Sequence, residues 1–187
     1  MTLGVIILTG GVGARMGADK AEMLWGGRRA VDLLAKLAAE LGAAAVVSAG
    51  MRDYGLPVAA EDPPGGGPVA GLAAGLRALS GCTRALVLAV DAPTVTAAEL
   101  GPLLAAPAPG AAYDGLHLPL VIDNDAFPAG AGAGWPMARL VERAGLARLT
   151  PPAGAEARLR GANTPEEREE LLRRLVTPDS AQEDGAG

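Results

Sequence analysis

The sequence contains a single cysteine, Cys82, and a single histidine, His117. One cysteine excludes an internal disulfide framework and a thiolate metal cluster, and one histidine leaves zinc short of ligands. A hydrolase working through a catalytic triad or a metal-bound water needs groups that this chain hardly offers. No apolar run approaches the roughly 20 residues that span a bilayer. Positive charge is also in deficit: the net charge is −5, so broad attraction to nucleic acid or an anionic membrane is not expected. The apolar segment Leu3–Leu8 is too short for a signal core and no basic stretch precedes it, which makes the cytoplasm the expected compartment.

What the chain does have is glycine, 27 of 187 residues, about twice the usual ~7%. Half of the residues are apolar, enough for one sizeable core. Continuous apolar runs at 3–8 (LGVIIL) and 84–90 (RALVLAV) have the length of strands covered on both faces, with a weaker run at 43–48 and a fourth candidate at Leu56–Ala60. Helical periodicity at 29–41 and 69–80 ends at Gly42 and Gly81. Strands alternating with helices predict an α/β protein with a mostly parallel central sheet wound by crossovers. Thr96-Ala-Ala-Glu99 reads as a capping box opening a third helix, kept short or kinked by Pro102. Residues 107–134 read as an irregular lid or substrate-facing excursion, with one edge strand at Leu116–Ile122 interrupted by Pro119. A helix over 135–145 follows. Thr164-Pro165-Glu166-Glu167 then opens a last helix, on which Glu169/Arg173 and Glu170/Arg174 have pairing distance. The domain is expected to span 1–176, with an acidic, polar and disordered tail at 177–187.

Three polar features fall at the carboxyl ends of the predicted strands, where ligands gather in open α/β sheets. The first is the loop LTGGVGARMGADK, Leu8–Lys20. It is neither a P-loop nor a dinucleotide fingerprint, since Met16 stands where the third glycine of the latter belongs. Its glycines can crowd backbone N–H groups around phosphate, with Arg15 and Lys20 adding charge; a surface loop produced by the glycine-rich composition is the competing reading. The second is Asp91, which ends a buried run before Ala92-Pro93. A carboxylate there suits a hard cation such as Mg²⁺, and equally suits a turn or helix cap. The third is the stretch Glu61–Pro68, which by itself reads as a rigid turn. His117 lies in the irregular middle region and reads as a structural or surface residue, and Cys82 reads as a packing residue.

Taken together, these segments resemble the nucleotidyltransferase family that includes the bacterial molybdenum cofactor guanylyltransferases. That family opens with L-[AT]-G-G-x-[SG]-x-R-M-G-x-D-K, matched by Leu8 to Lys20. It continues with an Asp ahead of G-P-[LV]-x-G, matched by Asp62 and by Gly67-Pro68-Val69-Ala70-Gly71. A D-x-P turn is matched by Asp91-Ala92-Pro93, and N-T-P-E-[DE] by Asn163-Thr164-Pro165-Glu166-Glu167. The resemblance implies a three-layer, Rossmann-like nucleotidyltransferase fold. It also implies transfer of GMP from GTP to the terminal phosphate of molybdenum-bound molybdopterin, with release of pyrophosphate. By the same resemblance Leu8, Gly10, Gly11 and Lys20 contact GTP, with Thr9 and Gly13 in the same loop. Asp62 approaches the nucleoside, and Asp91 holds Mg²⁺. Asn163 belongs to the metal or pterin side, and Arg15, Lys20 and Asp91 are the expected catalytic residues. Ser48 occupies a nucleoside-contact position where better-known members carry Asn, and Leu118 is inserted between His117 and Pro119 relative to the family G-x-x-H-P-[LT] segment. The implied partners are GTP and molybdenum-molybdopterin, with a molybdoenzyme or cofactor chaperone downstream. Gly10-Gly11 favours the guanylyl branch over a cytidylyl relative. The same fold also serves sugar- and alcohol-phosphate nucleotidyltransferases, and a catalytically silent nucleotide-binding adaptor is the reading from another class.

Overall fold

The computed structural model describes residues 1–10 and 19–176. Strand β1 (Leu3–Leu8) lies in the interior of a seven-stranded sheet. Its neighbours are β4 (Ala45–Ala49) on one side and β6 (Arg84–Ala89) on the other, both parallel to it. A two-residue edge strand, β5 (Val58–Ala59), extends the sheet beyond β4. Beyond β6 come β8 (Leu120–Asp123), β7 (Gly110–Tyr113) and the edge strand β9 (Ala147–Leu149). Only β8 runs against the rest, antiparallel to both β6 and β7. A small antiparallel ribbon, β2 (Leu24–Trp25) with β3 (Arg28–Arg29), stands apart from the sheet.

The alternation of side chains along β1 divides the core in two. Val5 and Ile7 face one layer, packing with Leu34 of α1 (Ala30–Glu40) and with Leu100 and Leu103 of α3 (Ala97–Leu104). Ile6 and Leu8 face the other, packing with Leu72 and Leu76 of α2 (Pro68–Ala78) and Leu140 of α4 (Met137–Arg143). Both faces are covered, so β1 is apolar at every position, and each large aliphatic chain buried there contributes about 1.5–3 kcal/mol. Helix α2 approaches β1 closely because Gly75 has no side chain; a Cβ there would sit 2.7 Å from Ile6. Helix α1 crosses from β1 to β4 on one face, and α2 crosses from β5 to β6 on the other. This reversal of winding opens a crevice at the carboxyl ends of β1 and β6.

The capping box on α3 is present, and the helix ends at Leu104 despite Pro102 in its interior. Helix α6 (Pro165–Val176) opens as its sequence predicts, with Glu167 N donating to Thr164 Oγ1 at 3.2 Å. On this helix Arg173 pairs with Glu170, three residues back, at 2.6 Å. The excursion 107–134 differs from expectation. Its apolar run forms β8, an internal strand rather than an edge, with Leu120, Val121 and Ile122 fully buried. Pro119 is compatible with this because it precedes the first ladder residue, so its missing N–H removes no inter-strand bond. The short elements β7, β9 and α5 (Glu156–Arg160) carry too few apolar residues to show a period. The far half of the sheet is fastened by buried Arg84, whose guanidinium donates to Asp123 Oδ1 at 2.5 Å and to Ala106 O at 2.7 Å. Among the described residues no helix is long and apolar enough to cross a membrane.

Candidate active site

The exit of β1 bends over the end of β4. The backbone N–H groups of Thr9 and Gly10 both donate to Ala49 O, at 2.9 and 3.2 Å, and the Thr9 hydroxyl joins them at 3.0 Å. Gly50 leaves room for this turn; a Cβ there would overlap Thr9 Oγ1 and lie 3.2 Å from Gly10 N. The loop continues into residues 11–18, which carry Gly11, Gly13 and Arg15 and lie outside the described residues.

The chain re-enters at Asp19 and Lys20. The Asp19 carboxylate accepts hydrogen bonds from Tyr54 Oη at 2.8 Å, Arg52 Nη1 at 2.6 Å and Ala21 N at 3.0 Å. Burial pushes its pKa up, but the bonds from Tyr54 and Arg52 outweigh burial and hold it below the usual carboxylate range. Burial and the same bond push the Tyr54 phenol up to about 12. This clamp joins the base of the glycine loop to the segment after β4, so Lys20 leaves from a fixed turn.

Lys20 Nζ donates to Asn163 Oδ1 at 3.1 Å, across 143 residues of sequence. Asp91, in the turn after β6, lies close enough to feel the charge of the same ammonium. Burial raises the Asp91 pKa and the charge of Lys20 pulls it back. The segment carrying Asn163 is docked onto this turn through the backbone, with Ala162 N donating to Asp91 O at 2.8 Å. Gly161, at φ 69° and ψ −164°, makes that docking possible. A Cβ there would overlap the Asp91 carbonyl and lie 2.8 Å from Ala92 N. Lys20, Asp91 and Asn163 therefore meet at one point from three remote parts of the chain.

Beside them opens a cavity of about 500 Å³. Its wall is apolar at Leu116, Leu118 and Leu159, and its polar edge is formed by Asp91, Arg160 and Asn163. On the opposite side of Gly10, toward β4 and β5, lies the Glu61–Pro68 stretch. Asp62 is exposed, whereas Glu61 is only 6% exposed and turned inward. Ser48 is fully buried, its hydroxyl 3.5 Å from Pro57 O, so this side chain supports the strand from within and does not reach the crevice. Leu8 is likewise buried, in the core beneath the loop. His117 is exposed, and Cys82 is buried against Gly4. Among the described residues no group of three or more His, Cys, Asp or Glu is placed to hold a metal. A cation here would rest on Asp91 together with ligand oxygens, as Mg²⁺ commonly does.

Nothing in the sequence singles out Gly161 or the Asp19–Tyr54–Arg52 clamp. Gly161 immediately precedes Ala162-Asn163 and was indistinguishable from the many other glycines.

Comparison with known proteins adds a family relationship. The MobA-like NTP transferase domain matches residues 5–148. A molybdenum cofactor guanylyltransferase of Xanthomonas euvesicatoria pv. vesicatoria (strain 85-10) is 32% identical over 176 residues, covering 89% of this chain and 93% of that protein. Among solved structures, a nucleotidyl transferase from Methanothermobacter superposes with a TM-score of 0.70 at 19% identity, covering 92% of this chain and 98% of that one. The molybdopterin-guanine dinucleotide biosynthesis protein A of Archaeoglobus fulgidus gives 0.63 at 19% identity, with the same coverages of 92% and 98%. At these identities the superpositions speak for the fold.

Proposed function

The chain belongs to the MobA-like NTP transferase family, and from that premise we propose that it transfers GMP from GTP to the terminal phosphate of molybdenum-bound molybdopterin in the cytoplasm, releasing pyrophosphate. The observation that carries this reading is the meeting of Lys20, Asp91 and Asn163 beside the cavity. A nucleoside triphosphate laid along the strand ends would put its base toward β4 and β5, its phosphates over the glycine loop, and its α-phosphorus beside Lys20 and Asp91. The cavity then faces that phosphorus from the other side, as the acceptor of an in-line displacement must.

An oxygen of the acceptor phosphate forms a bond to the α-phosphorus while the bond from that phosphorus to the pyrophosphate oxygen breaks. The attacking oxygen is already anionic, so no general base is needed, in keeping with a chain that has a single histidine, His117, and that one exposed. The residues act by position and charge. Lys20 holds phosphate oxygens, with Arg15 and the backbone N–H groups around Gly10, Gly11 and Gly13 as further donors. Asn163 orients the Lys20 ammonium, and Asp62 faces the nucleoside from the rim. Asp91 is the residue that would hold Mg²⁺, which supplies neutralisation of the developing phosphate charge. A carboxylate whose charged form burial disfavours is stabilised by such a cation.

The test is pyrophosphate release. The reading expects release from GTP with Mg²⁺ only when molybdenum-molybdopterin is added. Release from CTP in preference to GTP would move the chain to the cytidylyl branch. Tight GTP binding with no release would make it an adaptor.

A further inference from the structure

Helix α5 ends on two arginines that flank Leu159, and the fold uses only the first. Arg158 Nε donates to Oε1 of buried Glu99 at 2.5 Å, which ties α5 to the capping box of α3. Leu159 is buried in the core. Arg160 is exposed, has no hydrogen bond or ion pair with any of the described residues, and lines the cavity beside Asp91 and Asn163. The backbone that carries it is held in place: Gly161 N donates to Ala157 O at 3.1 Å, and Ala162 N to Asp91 O at 2.8 Å. The other charged groups lining the cavity are the acids Asp91, Glu167 and Glu170, so among the described residues Arg160 is its only cation. Two of those acids are engaged elsewhere. Glu167 accepts from Asn163 N and Thr164 N at 2.7 and 3.2 Å, and Glu170 pairs with Arg173. Position 160 lies beyond the residues that match the family model, which end at 148, and outside every motif segment of the chain.

We propose that Arg160 grips the phosphate of the acceptor and thereby restricts acceptors to phosphate monoesters. This rests on the proposed nucleotidyl transfer and names the side chain that presents its nucleophile. A phosphate monoester carries close to two negative charges at neutral pH. It must enter a cavity whose other charged groups are acids and approach a triphosphate that is itself an anion. Without a cation on the cavity side, that approach is repelled. A guanidinium matches phosphate with two parallel N–H···O bonds. Two of the monoester's three non-bridging oxygens are then held, and the third is left to attack the α-phosphorus. A phosphodiester has only two such oxygens, so the same grip would leave none free, and an alcohol offers no anion to hold. Lys20, across the Asp91 turn, remains committed to the phosphates of the donor.

The experiment titrates molybdopterin and its dephosphorylated form into the full chain by calorimetry, with Mg²⁺ and the α,β-methylene analogue of GTP present. Wild type, Arg160→Gln and Arg160→Lys are compared. Loss of the charge-assisted bonds is expected to weaken molybdopterin binding roughly 10- to 100-fold in the Gln variant, with the Lys variant in between. The dephosphorylated form should bind all three proteins equally, and affinity for the GTP analogue alone should be unchanged. Arg160 is exposed, and unchanged melting establishes that the variants are folded. Undiminished affinity of the Gln variant for molybdopterin overturns the inference. So does an equal loss for both pterin forms, because an arginine that only shapes the wall or closes α5 would produce it. A loss confined to the GTP analogue overturns it too, by moving Arg160 to the donor side. These titrations need no turnover. A wild type that shows the expected phosphate dependence but releases no pyrophosphate from GTP and molybdenum-molybdopterin would overturn the transferase reading and leave the assignment of Arg160 standing.

Discussion

Replacing Gly161 by alanine adds one methyl group against the backbone of the Asp91 turn, and should damage both stability and turnover. The residue sits at φ 69° and ψ −164°, a region open essentially to glycine alone, where another residue is strained by about 1–3 kcal/mol. The new Cβ would overlap the Asp91 carbonyl and lie 2.8 Å from Ala92 N. These are backbone atoms with no rotamer to escape into, so the segment must lift away. Lifting it breaks the 2.8 Å bond from Ala162 N to Asp91 O, worth about 0.5–1.5 kcal/mol. The two costs together come to roughly 1.5–4.5 kcal/mol, or about 3–18 °C in Tm for a chain of this size. The displacement also carries Asn163 away from Lys20, and a shift of about 1 Å in positioning groups can cost on the order of 100-fold in rate. Differential scanning fluorimetry and single-turnover pyrophosphate release read the two effects separately. A Gly161→Ala protein that melts within a degree of the wild type and turns over within twofold would refute the idea that this glycine docks Asn163 onto the Asp91 turn.

Asp91→Asn should abolish turnover yet raise Tm at neutral pH. Burial raises the Asp91 pKa, so the folded state holds this proton more tightly than the unfolded chain. The group's contribution to stability is present below the ordinary carboxylate pKa and is lost as pH rises through the folded value. The stability advantage of the Asn variant should therefore grow with pH across that window in thermal melts between pH 3 and 7. Tyr54, with its pKa pushed up to about 12, should make stability fall as pH rises from about 10, the phenol's unfolded value. Tyr54→Phe should flatten that alkaline slope in urea titrations. Arg84→Met removes the partner of Asp123 in a pair whose arginine side chain is 4% exposed. It should destabilise by roughly 3–5 kcal/mol, measured by chemical denaturation, with no change in nucleotide affinity because the pair lies away from the crevice.

The near half of the fold was legible because its strands and helices carry strong signals. LGVIIL and RALVLAV are apolar at nearly every position, and α1 and α2 repeat at helical spacing. The far half was not. GAAY of β7 and ARL of β9 are short, and their small or polar residues become strand only because β8 and β7 offer ladders to join. The run Leu116–Ile122 was visible, but its place was not, since Pro119 suggests an edge until the ladder is seen to begin one residue later. At the site, Lys20, Asp91 and Asn163 were legible as motif members. Their meeting was not, because it depends on contacts over 143 residues of chain. Exposure separated Glu61 from Asp62, and in sequence the two carboxylates are simply adjacent.

The central claim is that the α-phosphorus of GTP passes to a phosphate acceptor with loss of pyrophosphate. It is tested most directly by following GTP labelled at the α-phosphorus in the presence of Mg²⁺ and molybdenum-molybdopterin. The account predicts that the label leaves GTP and appears in a pterin–guanine dinucleotide in a one-to-one ratio with pyrophosphate, and that Asp91→Asn forms neither. Label that stays in GTP, or that appears as free GMP without any dinucleotide, would contradict it.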